Sequence, residues 1–378
     1  MNFELDEEQV MLKSSARDFL QQECPKKLVR AMMEDEKGYS PELWKKIADL
    51  GWLGLTFPEE YGGVGSSFLD LVVLLEECGR ALLPGPLLAT VVLAGHPVLA
   101  AGTNEQREQF LPPISRGEMI VTLALLEASD SFEAADVRVT ATQSGDGFVI
   151  NGTKLFVPHA HVADYLLCVT RTKDSPNPED GITLFLVDTR TNGVKIETLK
   201  TMTGERLCEV VFNGVSVPRS CLLGELDKGW PVVKRILIEA QVAESAWMTG
   251  GARWAMETSI DYAKTRIAFG RPIGSFQAIQ HKLADVAVAV EGATSIVYYA
   301  AWTIMENRPD MALAAAMAKS WCGEAYKQAT FAGVQIHGGI GYTWDHDMHL
   351  YLKRAKAGEV AFGDSDYHRE RVAQMLGI

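Results

Sequence analysis

The first 118 or so residues carry their apolar side chains at helical spacing. Val10, Ala16, Phe19 and Leu20, set among polar neighbours, predict a helix from Asp6 to Leu20. Ser40-Pro41-Glu42-Leu43 is a capping pattern that opens a second helix running to Leu50, and Gly51 closes it. The run Phe57-Pro58-Glu59-Glu60-Tyr61-Gly62-Gly63 is a turn-rich loop. A further helix over 68–82 ends at Pro84-Gly85-Pro86.

From about 119 to 223 the period shortens toward two. Candidate strands are 120–126, 137–142, 148–150, 165–170, 182–187, 194–197 and 208–212, with turns at Gly145-Asp146-Gly147 and Asn151-Gly152. Many short strands at this spacing make a small barrel or sandwich. From about 224 the helical period returns. Phe276, Ile279, Leu283, Val286 and Val290 recur at three- and four-residue steps, and the segments 229–267, 275–306 and 311–336 are long enough for bundle helices. A shorter helix falls near 347–361.

Composition narrows the classes. Apolar residues make up 47% and charged residues 22%, which argues against long disorder. The net charge of −13, with no long basic stretch, gives no support for nucleic-acid binding. The N-terminus Met1-Asn2-Phe3-Glu4-Leu5-Asp6-Glu7-Glu8 has neither the basic start nor the apolar run of a signal peptide. No uninterrupted apolar stretch reaches about 18 residues, so no membrane span is expected. Six cysteines without CxxC spacing predict reduced thiols in a cytoplasmic protein.

Four stretches in order carry chemistry. They are Leu55-Thr56-Phe57-Pro58-Glu59-Glu60-Tyr61-Gly62-Gly63-Val64-Gly65, and Val215-Ser216-Val217-Pro218 with Leu222-Leu223-Gly224-Glu225. Then come Tyr262-Ala263-Lys264-Thr265-Arg266 with Phe269-Gly270-Arg271-Pro272-Ile273 and Gln277-Ala278-Ile279-Gln280-His281, and finally Gln335-Ile336-His337-Gly338-Gly339-Ile340-Gly341-Tyr342-Thr343. Together they resemble the acyl-CoA dehydrogenase family over essentially the whole chain. The resemblance implies an α+β multidomain fold: an N-terminal all-α domain (1–118), a middle β-barrel domain (119–223) and a C-terminal four-helix bundle (224–378). It also implies FAD as cofactor, an acyl-CoA substrate, an electron-transfer flavoprotein as electron acceptor, and a tetramer.

The residues fit that implication. A helix-terminal Arg266 can pair with a pyrophosphate through parallel donors. Gly338 and Gly339 lack Cβ atoms, so backbone N–H groups can approach phosphate oxygens. Gln277 and Gln335 supply amides, Phe269 an apolar surface, and Phe156 a ring able to stack on the isoalloxazine. Taken singly, each has a plainer reading as a helix stop, a surface charge or core filling; the joint order supports the cofactor reading.

Other positions depart from the family pattern. In most members the residue before the glycine of Ala361-Phe362-Gly363-Asp364-Ser365 is the glutamate that removes the substrate α-proton. Here it is Phe362, and a phenyl ring accepts no proton. The chain therefore resembles a bacterial subclass lacking that glutamate. The family's alternative base position corresponds to Ala240, with Glu239 beside it and Glu244 one turn on. For both glutamates a solvated or ion-paired role is the ordinary expectation, so the catalytic residue is left unknown. The run Leu126-Glu127-Ala128-Ser129-Asp130-Ser131 loses the family's threonine, and Lys154 is followed by Leu155-Phe156-Val157-Pro158-His159 in place of Trp-Ile-Thr-Asn.

The pairs His159/His161 and His346/His349 lack flanking acidic or thiol ligands, and no metal is expected. The adenine-side pattern is kept while the flavin-reactive side is altered. That leaves either a homotetramer or an α2β2 heterotetramer, in which this chain completes a partner's FAD site. Some bacterial relatives of this kind act on bulky acyl-CoAs, including those from steroid side chains. A different flavin-dependent oxidation on the same fold is the further alternative.

Overall fold

A computed structural model describes residues 5–129 and 131–378. Met1–Glu4 of the acidic N-terminus and Asp130 of the run at 126–131 lie outside the described residues. The first part of the chain is helical: α1 (Glu7–Glu23), α2 (Lys26–Glu34), α3 (Pro41–Asp49), α4 (Phe68–Ala81), α5 (Leu87–Thr90), α6 (His96–Ala101) and α7 (Asn104–Ser115). Their starts are written in side chains. Asp6 with Gln9, Ser67 with Asp70, and Thr103 with Gln106 form reciprocal capping boxes. Ser40 accepts from Leu43 N ahead of Pro41 at the first helical position. Between α5 and α6 the backbone widens into a π-turn over Val91–Gly95.

The middle of the chain is a sheet: β1 (Val121–Ala124), β2 (Thr140–Ser144), β3 (Gly147–Pro158), β4 (Tyr165–Arg171), β5 (Ile182–Asp188), β6 (Val194–Leu199), β7 (Leu207–Pro218) and β8 (Leu222–Leu223). The pairing path runs β6-β7-β3-β2-β4-β5-β8, with β1 parallel to β4. Its two outer strands do not pair with each other among the described residues, so a closed barrel is not seen. Buried Leu166, Leu167, Cys168, Val169 and Thr170 make β4 the apolar centre.

Two local expectations are corrected. The strand expected over 137–142 begins only at Thr140, because the Arg138 and Val139 N–H groups donate to the Glu127 carboxylate instead of a neighbouring strand. Asn151-Gly152 is not a turn. β3 continues through it to Pro158 with a bulge, Gly152 at φ 134°, and β7 runs alongside to Pro218.

The rest is helical: α8 (Trp230–Thr265), a small hairpin of β9 (Ile267–Ala268) and β10 (Arg271–Pro272), then α9 (Gln277–Met305), α10 (Met311–His337), α11 (Met348–Val360) and α12 (Ser365–Leu376). α12 lies beyond the helices that the apolar spacing predicts. The chain gathers into two compact units. One comprises Met1–Arg30, Ser67–Leu83 and Gln241–Ile378 and holds the bundle; the other comprises Ala31–Ser66 and Pro84–Ala240 and holds the sheet.

In the bundle unit α10 is the spine. Its buried face is mostly alanine with Cys322 and Tyr326, and such small side chains let neighbouring helices approach closely. α4 is buried through Val72–Cys78, and its two glutamates are matched by cations: Lys13 at 2.7 Å from Glu76 and Arg17 at 2.7 Å from Glu77. α9 is long and apolar enough to cross a membrane by length and composition, but here it lies along α10 and α4. All six cysteines are free thiols, five of them buried.

Candidate active site

In the sheet unit, the two segments expected to face a flavin are riveted together from below. Lys154, fully buried, donates from Nζ to Glu127 Oε1 at 2.6 Å and to Leu125 O at 2.9 Å. Glu127 in turn takes the Arg138 and Val139 N–H groups, so no charge is left unmatched. Leu155 N donates to Leu126 O at 2.9 Å. Just beyond, the β3 register shifts between Lys154 and Val157, and this bulge places Phe156 at φ 54° with 43% of its surface exposed. Pro158 ends the strand, its carbonyl accepting from Thr122 Oγ1 at 2.7 Å. His159 and His161 stack on each other, and His161 Nε2 lies 3.1 Å from Lys37 O.

At one end of the bundle unit the remaining cofactor candidates converge. The Tyr262 ring, one turn before Arg266, stacks on His337 at 4.3 Å, which ties the end of α8 to the end of α10. The hairpin after α8 leads directly into Gln277 at the start of α9. Arg266, Gln277, Gln335, Gly338 and Gly339 are all exposed there, and Phe269 is 95% exposed. Gly338 has φ 64° and ψ −141°, a conformation essentially reserved for glycine, and a Cβ at Gly338 or Gly339 would meet nothing within 4 Å. An exposed arginine and an open, glycine-shaped backbone, on helix ends tied by that stack, suit a phosphate-bearing ligand. His346 and His349 have structural work nearby: Arg30 bonds Asp347 at 2.7 Å and reaches His349 Nε2 at 3.3 Å, and Met348 N donates to His346 Nδ1.

The turn between α11 and α12 carries Phe362 at φ 55°. It is braced from three sides. Lys319, fully buried on α10, donates to Glu359 O at 2.8 Å and Gly363 O at 2.9 Å. His368 Nε2 lies 2.9 Å from Phe362 O, and Asp364 caps α12 by accepting from Tyr367 N. Burial, with Lys319 nearby, pushes His368 down to about 4, so it is neutral and donates through Nε2. Burial also pulls Lys319 down to about 8. The turn is firmly held, and the side chain it presents is a phenyl ring. Lys319 and His368 were missed from the sequence, although a lone lysine after Ala314-Ala315-Ala316-Met317-Ala318 was a readable signal.

The two glutamates that flank Ala240 on α8 differ. Glu239, in the sheet unit, is clasped by His96 Nδ1 at 2.8 Å and by Arg235, while His96 Nε2 meets Thr56 Oγ1 at 2.8 Å. Burial alone would raise its carboxyl, but these partners hold it below the ordinary range. Glu244, in the bundle unit, has no such clasp. Burial pushes it up to about 7 against the opposing pull of Lys319.

Comparison with known proteins decides the family. Three family models match in chain order: the acyl-CoA dehydrogenase N-terminal domain (6–118), middle domain (122–215) and C-terminal domain (227–377). This chain belongs to the acyl-CoA dehydrogenase family. It is 34% identical to the probable acyl-CoA dehydrogenase YngJ of Bacillus subtilis, over 100% of both chains. It superposes on butyryl-CoA dehydrogenase from Megasphaera elsdenii with a TM-score of 0.92 and 30% identity, covering 100% of each. It is also similar to a chain of the ChsE4–ChsE5 complex from Mycobacterium tuberculosis, with a TM-score of 0.90 and 28% identity, covering 100% of this chain and 99% of that one. The family consists of FAD flavoproteins, oxidoreductases acting on CH–CH bonds.

Proposed function

We propose that this chain oxidises an acyl-CoA thioester to the 2,3-enoyl-CoA and hands the electrons to an electron-transfer flavoprotein. The observation that carries the reading is the exposed end of the bundle, where the Tyr262–His337 stack ties the helix end bearing Arg266 to the one bearing the glycine-only backbone of Gly338. Arg266, Gln335, Gly338 and Gly339 would hold the pyrophosphate, Gln277 and Phe269 the adenosine side, and Phe156 would stack on the ring system. When bound, FAD supplies the two-electron acceptor for the hydride of the β-carbon. The buried Glu127–Lys154 pair fixes the backbone that carries Phe156. A cytoplasmic setting belongs to this reading, supported by six free thiols.

The departures at Phe362 and Pro158 favour a second reading. In it the chain is one subunit of an α2β2 tetramer and lends its bundle end to a partner's flavin. Its likeness to one chain of a two-chain complex supports that reading. Purification decides between them. A yellow protein whose flavin bleaches anaerobically with an acyl-CoA supports the first. A colourless chain that acquires flavin only with a second, co-expressed subunit supports the second. Flavin that turns over oxygen without responding to any acyl-CoA would overturn both. Substrate size follows from the same assay run over short, long and steroid-derived acyl-CoAs.

A further inference from the structure

The braced turn at Phe362 brings no proton acceptor of its own, so the other carboxyls held in the bundle unit decide whether this chain has a base. Glu359 is taken by Lys327 at 3.0 Å and Lys356 at 2.8 Å, which keep it below the ordinary range although burial alone would raise it. Asp364 is committed to capping α12. Glu76 is held by Lys13, with Tyr298 at 2.7 Å. Glu244 is different. It projects from α8 so that its Oε1 stands 2.7 Å from where a Cβ at residue 358 would be. Gly358 lies on α11 one turn before Phe362, and the carboxyl head, with Met248 beside it, fills the space a side chain there would take. Further along α8, the Tyr326 hydroxyl is buried against Gly251 without a hydrogen-bond partner, and its ionisation is opposed by the Glu244 charge.

We propose that Glu244 takes the substrate α-proton in this chain, reaching through the gap at Gly358 toward the place the family serves from the position of Phe362. The proposal rests on the acyl-CoA dehydrogenase reading above. The step balances. The Cα–H bond breaks and its proton goes to a Glu244 oxygen; its electron pair becomes the Cα=Cβ bond as the β-carbon gives its hydride to the oxidised flavin. The acyl group loses two electrons and the flavin gains them.

The surroundings support a base active near neutrality. The ionisable groups around Glu244 and Lys319 are Tyr326 and Cys322 on α10, Glu359 on α11, and Asp364 and His368 beyond it. Burial holds Tyr326 well above its usual value and pushes Cys322 to about 12, while His368 sits near 4. Glu244 at about 7 therefore titrates where a general base works best.

The test uses the FAD-loaded full-length chain, with its partner subunit if one is needed, as wild type, Glu244→Gln, and Glu244→Gln with Phe362→Glu. Anaerobic flavin bleaching is followed with a series of straight-chain acyl-CoAs. Enoyl-CoA affinity is measured by calorimetry and the Glu244 carboxyl is titrated by carbon NMR. The proposal expects bleaching to slow by about 100-fold or more in Glu244→Gln. Enoyl-CoA affinity should stay within about three-fold, the carboxyl inflection near pH 7 should vanish, and the added Phe362→Glu should recover at least about ten-fold of the rate. A Glu244→Gln enzyme that bleaches within about three-fold of wild type overturns the proposal, as does a double variant that stays as slow as the single one. A wild type that holds FAD but is reduced by no acyl-CoA defeats the dehydrogenase reading itself, and the proposal falls with it.

Discussion

Glu239 and Glu244 sit five residues apart on one helix, yet the fold treats them in opposite ways. Glu239 is gripped by an imidazole and a guanidinium and is a fixed negative charge. Glu244 rests against Gly358, and the lysine that pulls on its charge, Lys319, donates to two carbonyls, so burial dominates and its proton affinity rises. Closeness to Ala240 along the helix therefore says little about what each carboxyl can do. What separates a structural carboxylate from a reactive one is whether its desolvation is compensated by partners.

This contrast can be broken by experiment, with the largest effect expected at the clasped residue. Glu239→Ala removes the buried carboxylate that His96 and the partly exposed Arg235 share, and should cost about 2–3 kcal/mol of stability in chemical denaturation. It should leave the pH dependence of flavin reduction unchanged. If Glu239→Ala is as stable as wild type, the clasp is not what the geometry says. Glu244→Gln should do the reverse, keeping the fold and slowing reduction by about 100-fold, as set out above.

Arg266→Ala comes next. Losing a guanidinium at a phosphate should weaken FAD binding by about ten-fold or more, read by flavin fluorescence on titration, with little change in melting temperature of the FAD-free chain. An unchanged affinity would move the cofactor away from that end of the bundle.

The smallest effect is on stability against pH. The Glu244 pKa is raised on folding, so the folded chain binds its proton more tightly than the unfolded chain does. This group's contribution is present below the ordinary carboxylate range and is lost as pH rises toward about 7. Between about pH 5 and 7, wild type should lose melting temperature more steeply with pH than Glu244→Gln does. Parallel curves would mean that Glu244 is solvated after all.

Much of the architecture was legible beforehand because it is written locally. The Ser40-Pro41 start, the bundle periodicity and the β2–β3 hairpin at Gly145-Asp146-Gly147 need only neighbours in sequence to form. The errors fell where distant groups intervened. Glu127 diverts the N–H groups of Arg138 and Val139 and so shortens a strand, and β7 carries β3 through Asn151-Gly152 as a bulge. The cofactor candidates of the bundle were named from motif order, and their shared exposure at one end is the part that folding adds.

The sequence by itself determined the family, the flavin chemistry and the absence of a carboxylate at Phe362, because these follow from residue identity and order. Only the tertiary structure decided what stands around that absence. It brings Lys319 and His368 to carbonyls on the far side of a turn, clasps one glutamate between an imidazole and a guanidinium, and leaves Glu244 facing Gly358. A carboxyl's reactivity is set by desolvation and by charges a few ångströms away, and those neighbours come from helices far apart in the chain.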